Sequence, residues 1–294
     1  MTIMHRRGIL VSVAIMWFVG GSIYPFLSEV AKKVDTTNII FIRSVGAASV
    51  MFLAVLIFDR HSFKQLRFDK RLIPIVVSSI LFSPICSATL AWSSSRVPGA
   101  VTALVYSTLP AMTVVYLAIK GKLPSRRSGM GVALASIAVA FLVGAPNGPV
   151  SAIGVLAALV SVFAWFAATE IWIKYESNYP LLLAIFLQVF IGSIGTGILR
   201  IVIGAPPLTR DAILDVNMIF LIFALASQYW AYLALTRNVS AGLLTSFAFV
   251  NPLVAGIVGF IAFDQKVGSV QIIAGAILLI GVFLVVREDL KKVR

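Results

Sequence analysis

Long apolar runs recur along this chain, and short connections between them carry most of its charge. Hydrophobic residues fill 60% of the 294 positions and charged residues 12%, about half the charged share of a water-soluble domain. About 20 apolar residues can cross a bilayer as a helix, which satisfies its own backbone hydrogen bonds there. We therefore predict an all-α membrane protein. The predicted spans are ten, at about 8–30, 36–58, 72–93, 97–119, 128–144, 151–174, 181–203, 216–236, 240–263 and 267–286.

The connections contain the basic residues that set orientation. If the N-terminus is cytoplasmic, 17 of the 24 lysines and arginines lie in cytoplasmic segments, 6 lie outside and Arg43 lies within a span. Because positive charge is retained on the cytoplasmic side, both termini are predicted to be cytoplasmic, in a multi-pass protein of the inner (plasma) membrane. The net charge of +13 is thereby explained by topology. The lipid bilayer is the expected macroscopic partner, and no nucleic acid is expected.

One stretch of the chain occurs twice. Residues 97–110 read V-P-G-A-V-T-A-L-V-Y-S-T-L-P, and residues 239–252 read V-S-A-G-L-L-T-S-F-A-F-V-N-P, 142 positions later. The same shift places F-L-V at 141–143 on F-L-V at 283–285. Similarity at a fixed period indicates a repeated structural unit.

The repeat divides the chain into residues 1–146 and 147–294, with five predicted spans in each. Because five is odd, the second unit must enter the membrane inverted relative to the first. Inverted repeats are typical of secondary transporters, which bind substrate near the membrane midplane between the halves. The predicted architecture is therefore ten transmembrane helices arranged as two inverted five-helix repeats around a central cavity.

Several motifs resemble those of a known family. They are Trp17 followed by Gly20-Gly21, Arg43 in F-I-R-S, T-L-P ending at Pro110, and V-N-P ending at Pro252. Together with ten spans and the repeat, they make the chain similar to the ten-span, EamA-type branch of the drug/metabolite transporter superfamily. Two positions depart from the family pattern: Lys120-Gly121-Lys122 stands where the family often has Gly-Glu, and Phe263-Asp264 keeps only an acid.

The resemblance implies a basket of helices around a central cavity. Spans one to four and six to nine would line it, and spans five and ten would brace the outside. It also implies export or exchange of small metabolites, amino acids among them. We expect a monomer or weak homodimer. No cofactor is implied.

Arg43 is the charge that lies well inside an apolar run. A charge at that depth is expensive and is a functional candidate by default. Two roles stay open: it faces the cavity and attracts a substrate carboxylate, or it is a structural anchor that reaches outward or pairs with Glu29. The acids offer less, since Glu170 stands four residues before Lys174 and is expected to form an ion pair with it. We therefore expect a substrate-driven facilitator or exchanger rather than a strict proton antiporter.

The other candidate substrate-binding residues are aromatic rings and amides predicted at mid-depth. An aromatic ring there can equally be packing or lipid-facing bulk, and Trp17 and Trp165 occupy similar positions in the first spans of the two repeats. Pro110 and Pro252 are the predicted helix kinks, and each leaves a carbonyl without its helical donor. Such a carbonyl can help to hold a polar group of the substrate; the alternative is a kink that only shapes the helix. With Arg43 included, the candidate substrate-binding residues are Trp17, Tyr24, Arg43, Tyr106, Trp165, Gln188, Gln228, Trp230 and Asn251.

Competing functions are a membrane enzyme and a channel. An enzyme would need a nucleophile with a base, a metal cluster or paired carboxylates at depth, whereas His5 and His61 lie in charged flanks and Cys86 is the single cysteine. Neither catalysis nor a metal is therefore expected. A channel usually has polar rings formed by several subunits. The favoured substrate is an amino acid, with aromatic ones among the candidates, or a similar zwitterion, and the alternative is a drug-like or other small organic solute.

Overall fold

The structure, a computed structural model, describes residues 6–66, 69–121, 125–144, 151–175, 179–236, 238–239, 244, 247–266 and 268–292, and these form helices joined by short connections. Short helices at Arg60–Gln65 and Arg210–Leu214 lie in connections. The main helices are α1 (Arg6–Val30), α2 (Thr36–Phe58), α3 (Lys70–Ser94), α4 (Gly99–Ile119), α5 (Arg126–Gly144), α6 (Ala152–Lys174), α7 (Leu181–Ile203), α8 (Val216–Thr236), α9 (Phe247–Phe263) and α10 (Ser269–Lys292).

Seven of these helices, α1 to α4 and α6 to α8, are long and apolar enough to cross a membrane. The other three contain shorter apolar stretches, at Gly129–Ala138 in α5, Val250–Phe263 in α9 and Ile272–Gly281 in α10. The predicted all-α membrane fold is confirmed. The count of ten spans stays a prediction.

Helix packing brings the two halves of the chain together. The helices α2 and α7 pack against each other, and α5 packs chiefly against α10. Two further sets of contacts recur with the halves exchanged: α1–α9 with α4–α6, and α2–α8 with α3–α7. Two inverted repeats would require these reciprocal contacts, although the repeat itself stays a prediction.

Glycines allow some of these helices to approach closely. A Cβ added at Gly99 would lie 2.5 Å from the Pro25 backbone nitrogen, and one added at Gly192 would lie 2.6 Å from Ser83 Cβ. Any larger residue would push α4 away from α1, or α7 away from α3. Association in a bilayer relies on such close packing, because hydrocarbon solvates apolar side chains as well as protein does.

Three helices depart from α-geometry near mid-length. The backbone of α1 is a π-helix over Ile15–Val19, and that of α3 is a π-helix over Leu81–Ser87. A turn at residues 107–108 interrupts α4 just before Pro110. Irregular backbone at membrane depth is tolerated where it is buried in protein or lines a cavity, and π segments are frequent at functional sites.

Candidate functional site

Both π segments line a small central cavity of about 30 Å³, and Tyr106, the residue before the turn in α4, lines it too. Residues from α1, α2, α3, α4, α6, α8 and α9 line it, whereas α7, expected from the resemblance to contribute, adds no residue to the described lining. The lining consists of Met16, Ile23, Tyr24, Arg43, Cys86, Ser87, Leu90, Tyr106, Trp165, Leu225, Gln228, Tyr229 and Phe247.

Arg43 projects onto this cavity from the first half of α2. The residue is 2% exposed, and its Nε and Nη1 atoms have no hydrogen-bond partner in the protein. Glu29, the alternative partner considered from the sequence, instead forms an ion pair with Lys32 at 2.5 Å. Within the described residues, the two ion pairs join Lys32 to Glu29 and Arg71 to Asp69, so neither includes Arg43.

Five aromatic residues contribute to the wall, and Phe82 packs against two of them. The Tyr24 and Tyr106 ring centroids are 5.5 Å apart. Trp165 packs edge-on against Phe82 at 4.8 Å, and Phe82 packs in the same manner against Tyr229 at 5.4 Å. A guanidinium that shares a cavity with aromatic rings can hold a carboxylate while the rings pack around an apolar substituent.

A polar cluster joins α3, α4 and α6 beside the rings. Cys86 Sγ lies 3.3 Å from the Tyr106 hydroxyl and 3.3 Å from Ser161 Oγ, and those two hydroxyls are hydrogen-bonded to each other. Ser161 also donates to the Cys86 carbonyl at 2.7 Å, within the π segment. The sequence reasoning missed Cys86 and Ser161 as site residues. Their one signal was a small polar residue within an apolar run, which is common to many buried helices.

Asn251 fastens α9 to the π segment of α1. With its amide nitrogen turned toward the backbone, it donates to the Met16 carbonyl at 2.9 Å and to the Trp17 carbonyl at 3.1 Å. Gly20 leaves room for Asn251, because a Cβ there would lie 3.4 Å from the Asn251 side-chain amide and 3.2 Å from Gln228 Nε2. Asn251 thus positions the cavity wall instead of lining it.

The predicted site residues divide into two groups. Those on the cavity are Tyr24, Arg43, Tyr106, Trp165 and Gln228. Those away from it are Trp17, Gln188, Trp230 and Asn251. Trp17 is half-buried within the π segment, Gln188 is buried in α7 with neither amide atom hydrogen-bonded, and Trp230 lines a separate groove. A role in substrate binding stays a prediction for each of these residues.

A hydrogen bond joins the helix segments that contain the two prolines. Pro252 has no N–H to donate to the carbonyl four residues earlier, that of Ala248. The Ser107 hydroxyl donates to this carbonyl at 2.6 Å, from the turn that precedes Pro110. The carbonyl freed in α9 is therefore satisfied by the break in α4, and a substrate group would have to compete with Ser107 for it.

The expected ion pair between Glu170 and Lys174 is wrong. Lys174 Nζ lies over the Tyr175 ring, 5.0 Å from its centroid, and no ion pair within the described residues includes Glu170. Contacts with Tyr116, and to a lesser degree with Glu170, raise the pKa of the Lys120 ammonium. Exposed pairs four residues apart gain only about 0.3–0.5 kcal/mol, so a neighbouring ring competes easily.

Comparison with known proteins agrees with this architecture. Residues 152–287 match the EamA-like transporter family, which confirms the resemblance to the drug/metabolite transporter superfamily. The family implies a multi-pass membrane transporter of small solutes, and its members are generally not enzymes. No curated protein matches the chain at a significant level.

Solved structures match the fold, and 21 of their chains do so significantly. One, described as "Crystal structure of protein", is 14% identical, covers 93% of this chain and 96% of its own, and superimposes with a TM-score of 0.65. At that identity the likeness concerns the fold alone.

Proposed function

We propose that this chain is a secondary transporter that exports or exchanges a small carboxylate-bearing metabolite, an amino acid or similar zwitterion, across the inner membrane. The observation that carries the proposal is the buried Arg43 guanidinium, which lies on a central cavity with two nitrogens lacking hydrogen-bond partners. Burying an unpaired charge costs free energy unless a partner neutralises it. A substrate carboxylate would supply that partner.

The cavity lining favours a particular class of substrate. Arg43 is the single cation among the described lining residues, whereas a phosphorylated or nucleotide substrate would call for several. The Gln228 amide and the Tyr106 hydroxyl offer hydrogen-bond partners for an ammonium group, and the aromatic rings suit an apolar side chain. A monocarboxylate with an apolar or aromatic part therefore fits best.

Substrate entry requires the walls to move. A cavity of about 30 Å³ holds a few waters at most, and a small-molecule pocket is usually larger than about 300 Å³. The π segments of α1 and α3 and the break in α4 are where these helices can bend, since their backbone hydrogen bonds are already irregular. Bending at these points would open the cavity to one side of the membrane and then to the other.

We also propose that the substrate gradient drives transport and that no proton is carried. The cavity lining contains no carboxylate within the described residues, and an arginine does not release its proton. Glu170 is half-buried near the predicted cytoplasmic end of α6 and is not part of the lining. Glu170→Gln should therefore leave counterflow and pH-driven uptake nearly intact, and selective loss of pH-driven uptake would refute this.

The decisive experiment compares Arg43 variants in liposomes. Arg43→Ala should weaken counterflow of phenylalanine by about 10- to 100-fold, the worth of a charged hydrogen bond, and leave phenylalanine amide nearly unaffected. Arg43→Lys should restore part of the loss, because a forked contact becomes a point charge. Arg210→Ala, which removes an exposed arginine, is the matched control. Equal loss for both substrates would show that Arg43 is only structural.

Orientation is a separate proposal, that both termini are cytoplasmic. Single cysteines at Gln65, between α2 and α3, and at Ser95, between α3 and α4, should label from opposite sides in a Cys86→Ala background. Both native residues are exposed. An impermeant thiol reagent added to whole cells should reach position 95 and not position 65, and the reverse result would invert the topology.

A further inference from the structure

The second feature of the molecule is a lateral groove of about 610 Å³ between α1, α2, α7 and α8, apart from the central cavity. Its walls are almost wholly apolar, with Ser227 as the polar exception. On α2 the wall follows one helix face, Val50, Ala54 and Phe58, at the four-residue spacing that aligns side chains. On α8 it includes Phe223, Ala226 and Trp230.

Both rims of the groove are turned to the outside of the helix bundle. Phe58 is 79% exposed and Phe223 is 58% exposed. In a membrane-spanning helix, that side faces lipid hydrocarbon. An occupant must therefore be apolar along the length of the groove and must reach it from the bilayer.

Basic residues follow in the chain where the groove reaches the end of α2. Phe58 ends α2, and the exposed Arg60 and Lys64 follow within the next turn of chain. The helix α1 begins at the exposed Arg6 and Arg7, and its first turns pack along α8. Among the described residues of the connection between α2 and α3, the acids are Asp59 and Asp69, and Asp69 pairs with Arg71, so the local balance is basic.

We propose that this groove is a binding site for one anionic phospholipid, with an acyl chain along α2 and α8 and the phosphate beside Arg6, Arg7 and Arg60. An apolar slot that ends in a cluster of cations matches the two parts of such a lipid. Each basic residue near an anionic lipid surface contributes about a five-fold preference over a neutral lipid. A zwitterionic lipid would fill the slot and gain little at the basic end.

The site lies next to the transport machinery. Leu225, Gln228 and Tyr229 of α8 line the central cavity, whereas Ala226 and Trp230 of the same helix line the groove. A lipid held there contacts the helix that forms one wall of the cavity. The proposal concerns binding of a lipid and stands independently of which solute is transported.

The experiment measures lipid retention by native mass spectrometry of the purified full chain, offered phosphatidylglycerol or phosphatidylcholine. The native chain should retain one phosphatidylglycerol in preference to phosphatidylcholine. Ala54→Phe, which fills the slot, should abolish retention, whereas Ile57→Phe, at a 72% exposed position on the same helix outside the slot, should not. The double change Arg7→Gln and Arg60→Gln should reduce the preference by about 25-fold. The matched pair, Lys33→Gln and Lys266→Gln, removes exposed lysines elsewhere and should leave it unchanged.

A second measurement avoids any variant that could fail to fold. Phosphatidylglycerol with brominated acyl chains should quench the fluorescence of Trp230 in the native chain at saturating occupancy, and brominated phosphatidylcholine should quench it much less. Trp230→Phe should remove the quenched component. The proposal would be overturned by equal quenching with both lipids or by lipid retention that survives Ala54→Phe. It would also be overturned if a second copy of the chain filled the groove in a dimer.

Discussion

Two helix interfaces that recur with the halves exchanged differ sharply in closeness. The helices α3 and α7 touch through small residues, where a Cβ at Gly192 would lie 2.6 Å from Ser83 and one at Gly195 would lie 3.1 Å from Pro84. The helices α2 and α8 approach closely at Gly46, against Ile222, and then separate into the groove of about 610 Å³. The position 142 residues before Gly192 is Val50, which lines the groove.

The difference shows how few side chains decide whether two membrane helices close. In a bilayer, the gain from association comes from packing contacts and not from leaving water. A glycine at the crossing allows close approach, whereas Val50, one turn beyond Gly46, lines the groove where the helices are separate. The closed interface then supports the cavity wall, and the open one leaves room for hydrocarbon.

The largest expected effect comes from widening the closed interface. Gly192→Val should destabilise the protein by about 1–3 kcal/mol, since the new side chain must displace Ser83 or α7 itself. Ala54→Val adds methyl groups to the open groove and should cost much less. Thermal unfolding in detergent compares the two. A similar fall in Tm for both would mean that the closeness of α3 and α7 is not what stabilises the fold.

An intermediate effect is expected where α2 first meets α8. A Cβ at Gly46 would lie 2.7 Å from the Ile222 side chain, which can turn aside more readily than backbone. Gly46→Val should therefore cost about 1–2 kcal/mol. Gly256→Val is the control, because nothing lies within 4 Å of a Cβ there. If both variants have the same Tm as the native chain, the contact at Gly46 does not hold α2 against α8.

The smallest effect concerns the seam between α2 and α7, which joins the two interfaces. The hydroxyl oxygens of Ser44 and Thr196 are 2.7 Å apart and buried. Ser44→Ala should cost about 1 kcal/mol, seen as a modest fall in Tm. Ser49→Ala removes an exposed hydroxyl that bonds only to its own helix, at Val45, and should change little. If the two variants have the same Tm, packing alone, and not the Ser44–Thr196 hydrogen bond, stabilises this seam.

Part of the candidate site could be predicted from residue chemistry. Arg43 stood out because a charge is costly inside an apolar run, and it does line the cavity. The placement of Trp230 was predictable only in part. Residues 228 and 230 differ by about 200° around a helix, so Gln228 and Trp230 could not both face the centre. Which of them did so depended on how α8 packs against α1 and α2.

The sequence alone determined the helices, because a membrane helix satisfies its backbone hydrogen bonds within one continuous apolar segment. It also determined that an arginine would lie at depth and that Pro252 would leave a carbonyl of its helix without the usual donor. The tertiary structure decided the partners: Glu29 with Lys32 instead of Arg43, Ser107 on the carbonyl that Pro252 frees, and a groove where α2 and α8 separate. Those choices depend on side chains from segments far apart in the chain, whose meeting is set by the packing of the whole bundle.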